Sequence, residues 1–177
     1  MAQQAERDHL SALPAFDGLT SNELDQLVAM ASRRELSAGQ TLFNEDEPAD
    51  SLYVLLTGSI GLYVHGRDGA ERTVAEMAPG AAIGEISLLL GGGRSVSARA
   101  LANSTLFQFP HDRFRAMIDS GSLLAYRVVH NLARILAIRL RAADDLVAEL
   151  SAGHSESPVA EDDLDRLRKT FFTEWSF

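Results

Sequence analysis

Between Ser51 and Phe109 the chain breaks into five short β-prone runs: Ser51–Leu56, Ser59–Val64, Arg72–Met77, Ser95–Ala100 and Thr105–Phe109. Turn signals punctuate the region from Ser37 to Pro110, at Ala38-Gly39, Thr57-Gly58, Arg67-Asp68-Gly69 and Pro79-Gly80. Many short strands at this spacing point to a sandwich or a double-sheet roll. The Gly66–Gly69 segment reads as a hairpin loop.

Helical periodicity flanks this region. Ser21–Arg33 opens with Ser21, carries Glu23 and Asp25 in its first turn, and repeats Leu24, Leu27, Val28 and Ala31 at helical spacing. After Pro110, His111–Asp119 predicts a short helix ended by Ser120-Gly121. Ser122 then caps a helix reaching about Leu150, with an apolar stripe of Val129, Leu132, Leu136, Leu140, Ala143, Val147 and Leu150. At about 1.5 Å per residue it extends some 40 Å, more than a small barrel needs for cover. A projecting helix with an apolar stripe pairs with another, so Ser122–Leu150 is the candidate homodimer contact. Ser151–Pro158 reads as a linker, followed by a weak amphipathic repeat of Leu164, Leu167 and Phe171 and by Phe172, Trp175 and Phe177.

The chain has no cysteine, so disulfides and thiolate metal sites are excluded. The five scattered histidines show no ligand spacing, and no activated serine, Walker lysine or paired carboxylates support catalysis. The expectation is a non-enzyme with no metal. Met1–Ser11 is polar, without an apolar signal core, and no apolar run approaches the roughly 20 residues that span a bilayer. A cytoplasmic protein without membrane contact is expected. The net charge of −9 opposes binding to a phosphate backbone, so no nucleic-acid partner is predicted. The six arginines against two acids between Asp112 and Arg141 read as the solvated side of the long helix.

The chemistry concentrates in Gly80–Ala98, whose sequence is Gly-Ala-Ala-Ile-Gly-Glu-Ile-Ser-Leu-Leu-Leu-Gly-Gly-Gly-Arg-Ser-Val-Ser-Ala. Gly84 permits an unusual backbone and close approach by a ligand. Glu85–Leu90 is long enough for a turn or two of helix before Gly91-Gly92-Gly93. Arg94 offers a planar fork of donors to a phosphate, and Ser95 adds a hydroxyl. A carboxylate, free amides and an arginine around one small turn suit a sugar hydroxyl beside a phosphate. Taken singly, Glu85 and Arg94 also fit an ordinary surface ion pair.

This segment resembles the phosphate-binding cassette of the cyclic nucleotide-binding domain family, which includes bacterial catabolite activators, regulatory subunits of cAMP-dependent kinase and cyclic nucleotide-gated channels. Asp50-Ser-Leu-Tyr-Val-Leu-Leu-Thr-Gly-Ser-Ile and Glu76-Met-Ala-Pro-Gly match further family marks in the same order. The resemblance implies a mainly β fold with flanking helices: a double-stranded β-helix or jelly-roll barrel, then a short and a long C-terminal helix. It implies a polar lead-in over 1–12, a binding domain over 13–150 (roll about 34–110, long helix about 122–150) and an acidic linker and tail over 151–177.

Carried over to this sequence, the resemblance gives Glu85 the ribose 2′-hydroxyl, with the Gly84 amide nearby, and Arg94 an equatorial oxygen of the cyclic phosphate. Ser87 and Val96 contribute amides, Ser95 its hydroxyl, and Ile86 belongs to the same turn. Gly93 stands where the family has proline, which implies a looser loop. Leu136, Arg139, Leu140 and Ala143 are the candidates to cover the base. The expected ligand is cAMP in preference to cGMP. Only 27 residues follow Leu150, too few for a helix-turn-helix reader. The expected protein is therefore a receptor signalling through its C-terminal helix to a separate effector protein. The alternative is a degenerate fold acting as an interaction module without nucleotide.

Overall fold

The computed structural model describes residues 2–66 and 69–153. The tip of the Gly66–Gly69 loop and the amphipathic repeat after Pro158 lie outside the described residues. Two four-stranded antiparallel sheets face each other as a jelly roll, with helices against one outer face and a long C-terminal helix. The first sheet runs in the order β1 (Ser32–Leu36), β8 (Ser104–Pro110), β3 (Ser51–Thr57) and β6 (Ala82–Ile83). The second runs β2 (Thr41–Phe43), β7 (Ser97–Ala100), β4 (Ile60–His65) and β5 (Glu71–Met77).

The two sheets differ because their sequences bury different faces. β3 is buried at every position from Ser51 to Leu55. Tyr53 and Leu55 point into the roll, among Leu36, Leu62, Met77 and Leu106. Leu52 and Val54 point outward, among Phe107, Phe109 and the helices. A strand covered on both faces needs a continuous apolar run, which Leu52–Leu56 supplies. β5 alternates instead, with Glu71 and Glu76 exposed. Its register against β4 shifts between Leu62 and Tyr63, and this bulge explains why the consecutive Val74 and Ala75 are both buried.

The helices seal the outer face of the first sheet. They are α1 (Ala2–Ser11), α2 (Ser21–Met30), α4 (His111–Asp119) and α5 (Leu123–Gly153), while the short α3 (Glu85–Leu90) lies at the roll. Phe16, Phe109 and Phe114 form the centre of this second core, each essentially inaccessible, with Phe109 packed on both other rings. α5 turns Leu124, Val128 and Leu132 inward. Two polar ties fix it. The Asn131 side-chain amide donates to the Asp17 carbonyl at 2.9 Å, and Arg127 Nη1 donates to both Glu23 carboxylate oxygens at 2.8 Å.

Several sequence expectations need correction. The helix expected over Ser21–Arg33 ends at Met30, because Ala31 is extended and Ser32–Leu36 pairs with β8. Its cap is Thr20, which forms a reciprocal capping box with Glu23. The lead-in read as merely polar is helical, and its Leu10 is fully buried. β1, β2 and β6 gave no strand signal of their own; each is short and carries polar or small residues that pairing alone makes extended. The long helix runs to Gly153, past the expected end at Leu150. No described helix is long and apolar enough to cross a membrane.

Phe109→Ala removes the ring shared by both aromatic contacts and leaves a cavity where the first sheet meets the helices. The unfolding free energy is expected to fall by about 3–5 kcal/mol, read from urea denaturation.

Candidate functional site

The site forms where α3 interrupts the chain between β6 and β7. Gly84 enters it with φ 89° and ψ 17°, a left-handed conformation that glycine adopts without steric cost. A second constraint acts on the same residue: a Cβ there would collide with Arg94 Nη1. α3 then runs for six residues and ends at Gly91, whose amide donates to the Ser87 carbonyl at 2.9 Å.

The arginine returns under tight control. Its backbone N–H donates to the Glu47 carbonyl and its carbonyl accepts from the Asp46 amide, both at 2.9 Å. Gly93 bridges to Pro48, and a Cβ on Gly93 would sit 3.0 Å from the Asp46 carbonyl oxygen. Gly93 is thus packed against the 46–47 turn, not loose, and Arg94 is pinned on both sides. The Ser87 hydroxyl donates to the Gly93 carbonyl at 3.1 Å, closing the turn across α3.

Glu85 and Arg94 are 5% and 3% exposed, which rules out the surface ion-pair reading. The Arg94 guanidinium stacks at 4.2 Å from the Phe43 ring centroid and 5.4 Å from that of Tyr53. Its Nη2 reaches Asp50 Oδ1 at 3.4 Å, while Nε and Nη1 are buried without a hydrogen-bond partner among the described residues. Burial pushes the guanidinium below its ordinary proton affinity, and Tyr53, Asp50, Glu47 and Glu85 act in the opposite direction. A desolvated cation with unmatched donors attracts an anion, and no protein partner must be displaced from Nε or Nη1. Behind it, the His111 amide donates to the Asp50 carbonyl at 2.8 Å. Burial, and then Arg94, hold the His111 imidazole below the usual histidine range.

Gly84, Glu85, Ile86, Ser87, Arg94, Ser95 and Val96, the seven residues predicted from sequence, all line one small recess. Its remaining wall is Phe43, Leu62, Met77, Ala82 and Ile83, apolar residues from strands of both sheets. Sequence reasoning missed these, as it missed Tyr53 and Asp50. Their chemistry is ordinary, and only the roll brings them to the turn. The acidic Glu45–Asp50 stretch forms the backing of Arg94, through the backbone of Asp46 and Glu47 and the side chain of Asp50. Among the described residues no three His, Asp or Glu side chains gather as a metal site.

The base-covering candidates stand elsewhere. Leu136 is half-buried on α5, Leu140 is 57% exposed, and neither lines the recess. The side chains of Arg139 and Ala143 lie outside the described residues.

Comparison with known proteins agrees with this geometry. The family model described as cyclic nucleotide-binding domain matches residues 33–121. The cyclic AMP receptor protein of Thermus thermophilus is 35% identical over 156 residues, covering 88% of this chain and 70% of that protein. The crystal structure of Thermus thermophilus catabolite activator protein superposes with a TM-score of 0.69 at 36% identity, over 78% of this chain and 63% of that one. An uncharacterised NTE family protein of Mycobacterium tuberculosis is 30% identical over 131 residues, and the match spans only 22% of its length.

Arg94→Met exchanges a desolvated cation for an apolar chain of similar reach. The nucleotide-free protein is expected to become more stable by about 1–3 kcal/mol, seen as a raised urea midpoint at unchanged m-value.

Proposed function

Because the chain belongs to the cyclic nucleotide-binding domain family, we propose that it is a receptor for a cyclic mononucleotide, cAMP in preference to cGMP. The observation that carries the reading is the buried Arg94, with two unmatched donor atoms, in a recess that also holds a buried carboxylate. A cyclic phosphate supplies the missing acceptors, and the attached ribose places a hydroxyl within reach of a neighbouring acid. Glu85 accepts from the 2′-hydroxyl beside the Gly84 amide. Arg94 takes an equatorial phosphate oxygen. The Ser87 and Val96 amides and the Ser95 hydroxyl complete the contacts, with Ile86 in the same turn. The apolar wall from Leu62 and Met77 suits the non-polar face of the bound nucleotide. The preference for cAMP rests on the Arg94-Ser95 sequence and on the relative named cyclic AMP receptor protein.

Signalling follows from what the recess lacks. Leu136 and Leu140, which do not line the recess, cover the base only if α5 moves or is supplied by a second copy, and Arg139 and Ala143 are the further candidates on the same helix. A ligand contacting α5 in one position and not another shifts the helix by its difference in affinity. α5 also carries exposed Leu123, Tyr126, Leu140 and Val147. Together with Val129 and Leu136 these form a stripe separate from the buried Leu124, Val128 and Leu132, which suits a homodimer over Ser122–Leu150. The readout is movement of this helix, conveyed to a separate protein, and the domain itself performs no catalysis. It acts in the cytoplasm, where cyclic nucleotides are made, without contact with nucleic acid or membrane.

Titration calorimetry with cAMP and cGMP tests the receptor reading. Arg94→Ala is expected to weaken binding by roughly 2–5 kcal/mol, and Glu85→Ala by about 1–3 kcal/mol. Unchanged affinity in both variants defeats the site assignment. Sedimentation velocity tests the assembly: the unmodified protein is expected as a dimer and Val147→Glu as a monomer with an unaltered circular dichroism spectrum.

A further inference from the structure

We infer that Phe43 and Tyr53 are positioning residues for phosphate recognition, an aromatic clamp that holds the Arg94 guanidinium in place without consuming its N–H donors. The inference rests on the receptor reading above and concerns how its anion site is kept ready. Phe43 ends β2 in the second sheet and Tyr53 lies in β3 of the first, so the two rings meet across the roll, 6.0 Å between centroids. Arg94 Cζ lies 4.2 Å and 5.4 Å from those centroids, inside the roughly 6 Å at which a ring face attracts a cation.

The choice of partner has a chemical consequence. A buried carboxylate would stabilise the guanidinium through its N–H groups, and an incoming phosphate would then have to displace it. A ring face attracts the same charge through its quadrupole and leaves the N–H groups alone. The observed bonding follows this division. Asp50 meets Nη2 at a long 3.4 Å with its own side chain 77% exposed, while Nε and Nη1 have no hydrogen-bond partner among the described residues. Tyr53 is itself braced: Arg34 Nη1 donates to its hydroxyl at 3.3 Å, with Arg34 Cζ 5.8 Å from the ring centroid. Tyr53 therefore faces two guanidiniums and is held by the outer one.

The test uses the full chain with Phe43→Leu, which keeps an apolar side chain but removes the ring face, and Phe43→Tyr, which keeps the face. Calorimetry with cAMP is expected to give about tenfold weaker binding for Phe43→Leu and near-normal binding for Phe43→Tyr. The second readout is the Arg94 side-chain Nε–Hε resonance, assigned by its loss in Arg94→Lys. Ring currents should displace it in the nucleotide-free unmodified protein and in Phe43→Tyr, and Phe43→Leu should return it toward an ordinary arginine position. Wild-type affinity in Phe43→Leu overturns the clamp, as does an equal loss in both variants with the Arg94 signal unmoved. Should the unmodified protein bind no nucleotide, the receptor reading fails, and the Arg94 signal still decides the clamp: displacement lost in Phe43→Leu supports it, and no displacement in the unmodified protein overturns it.

Discussion

Withdrawing a guanidinium from water costs several kcal/mol unless its charge and donors are met, and Arg94 is withdrawn with its charge only partly met. Two ring faces and one long contact to Asp50 attenuate the cost, and two donor atoms stay unmatched. The surrounding architecture maintains this state. The 46–47 turn bonds both backbone groups of Arg94, Gly84 leaves room for its Nη1, and Ser87 ties α3 back to Gly93. Such a site stores folding free energy that an anion can release. Stability and ligand affinity are therefore opposed at this residue.

The double coverage of the first sheet puts the recess and the helices in physical contact. Along β3, neighbouring residues face opposite ways: Tyr53 packs within the roll beside Arg94, while Leu52 and Val54 pack among Phe107, Phe109 and the helices. β8 repeats the arrangement with Leu106 inward and Phe107 and Phe109 outward. One sheet thus serves as the wall of the site and the floor beneath α4 and α5. α5 is anchored through its first half by Leu124, Val128, Leu132, Arg127 and Asn131, and it carries exposed apolar side chains along its length, from Leu123 and Tyr126 to Leu140 and Val147.

Much of this was legible in the residue order. The strand-turn alternation after Ser51, the glycine-acid-arginine turn at 84–94 and the long periodic stretch after Ser122 each carry a local signal, because turn chemistry and side-chain period act over a few residues. β1, β2 and β6 were not legible, since Ser32–Leu36, Thr41–Phe43 and Ala82–Ile83 become extended only through partners far along the chain. The turn that carries Asp46, Glu47 and Asp50 was not legible for the same reason; its function as backing for Arg94 depends on contacts across 44 or more residues.

By itself, the sequence determined which groups are gathered at the recess: Gly84, Glu85, Ile86, Ser87, Arg94, Ser95 and Val96 lie within 13 positions, and one turn brings them together. Only the tertiary structure decided their electrostatic setting. Whether Arg94 is a solvated surface cation or a desolvated one stacked on Phe43 and Tyr53 depends on two sheets closing over it, and burial is a property of the folded whole that no local pattern encodes.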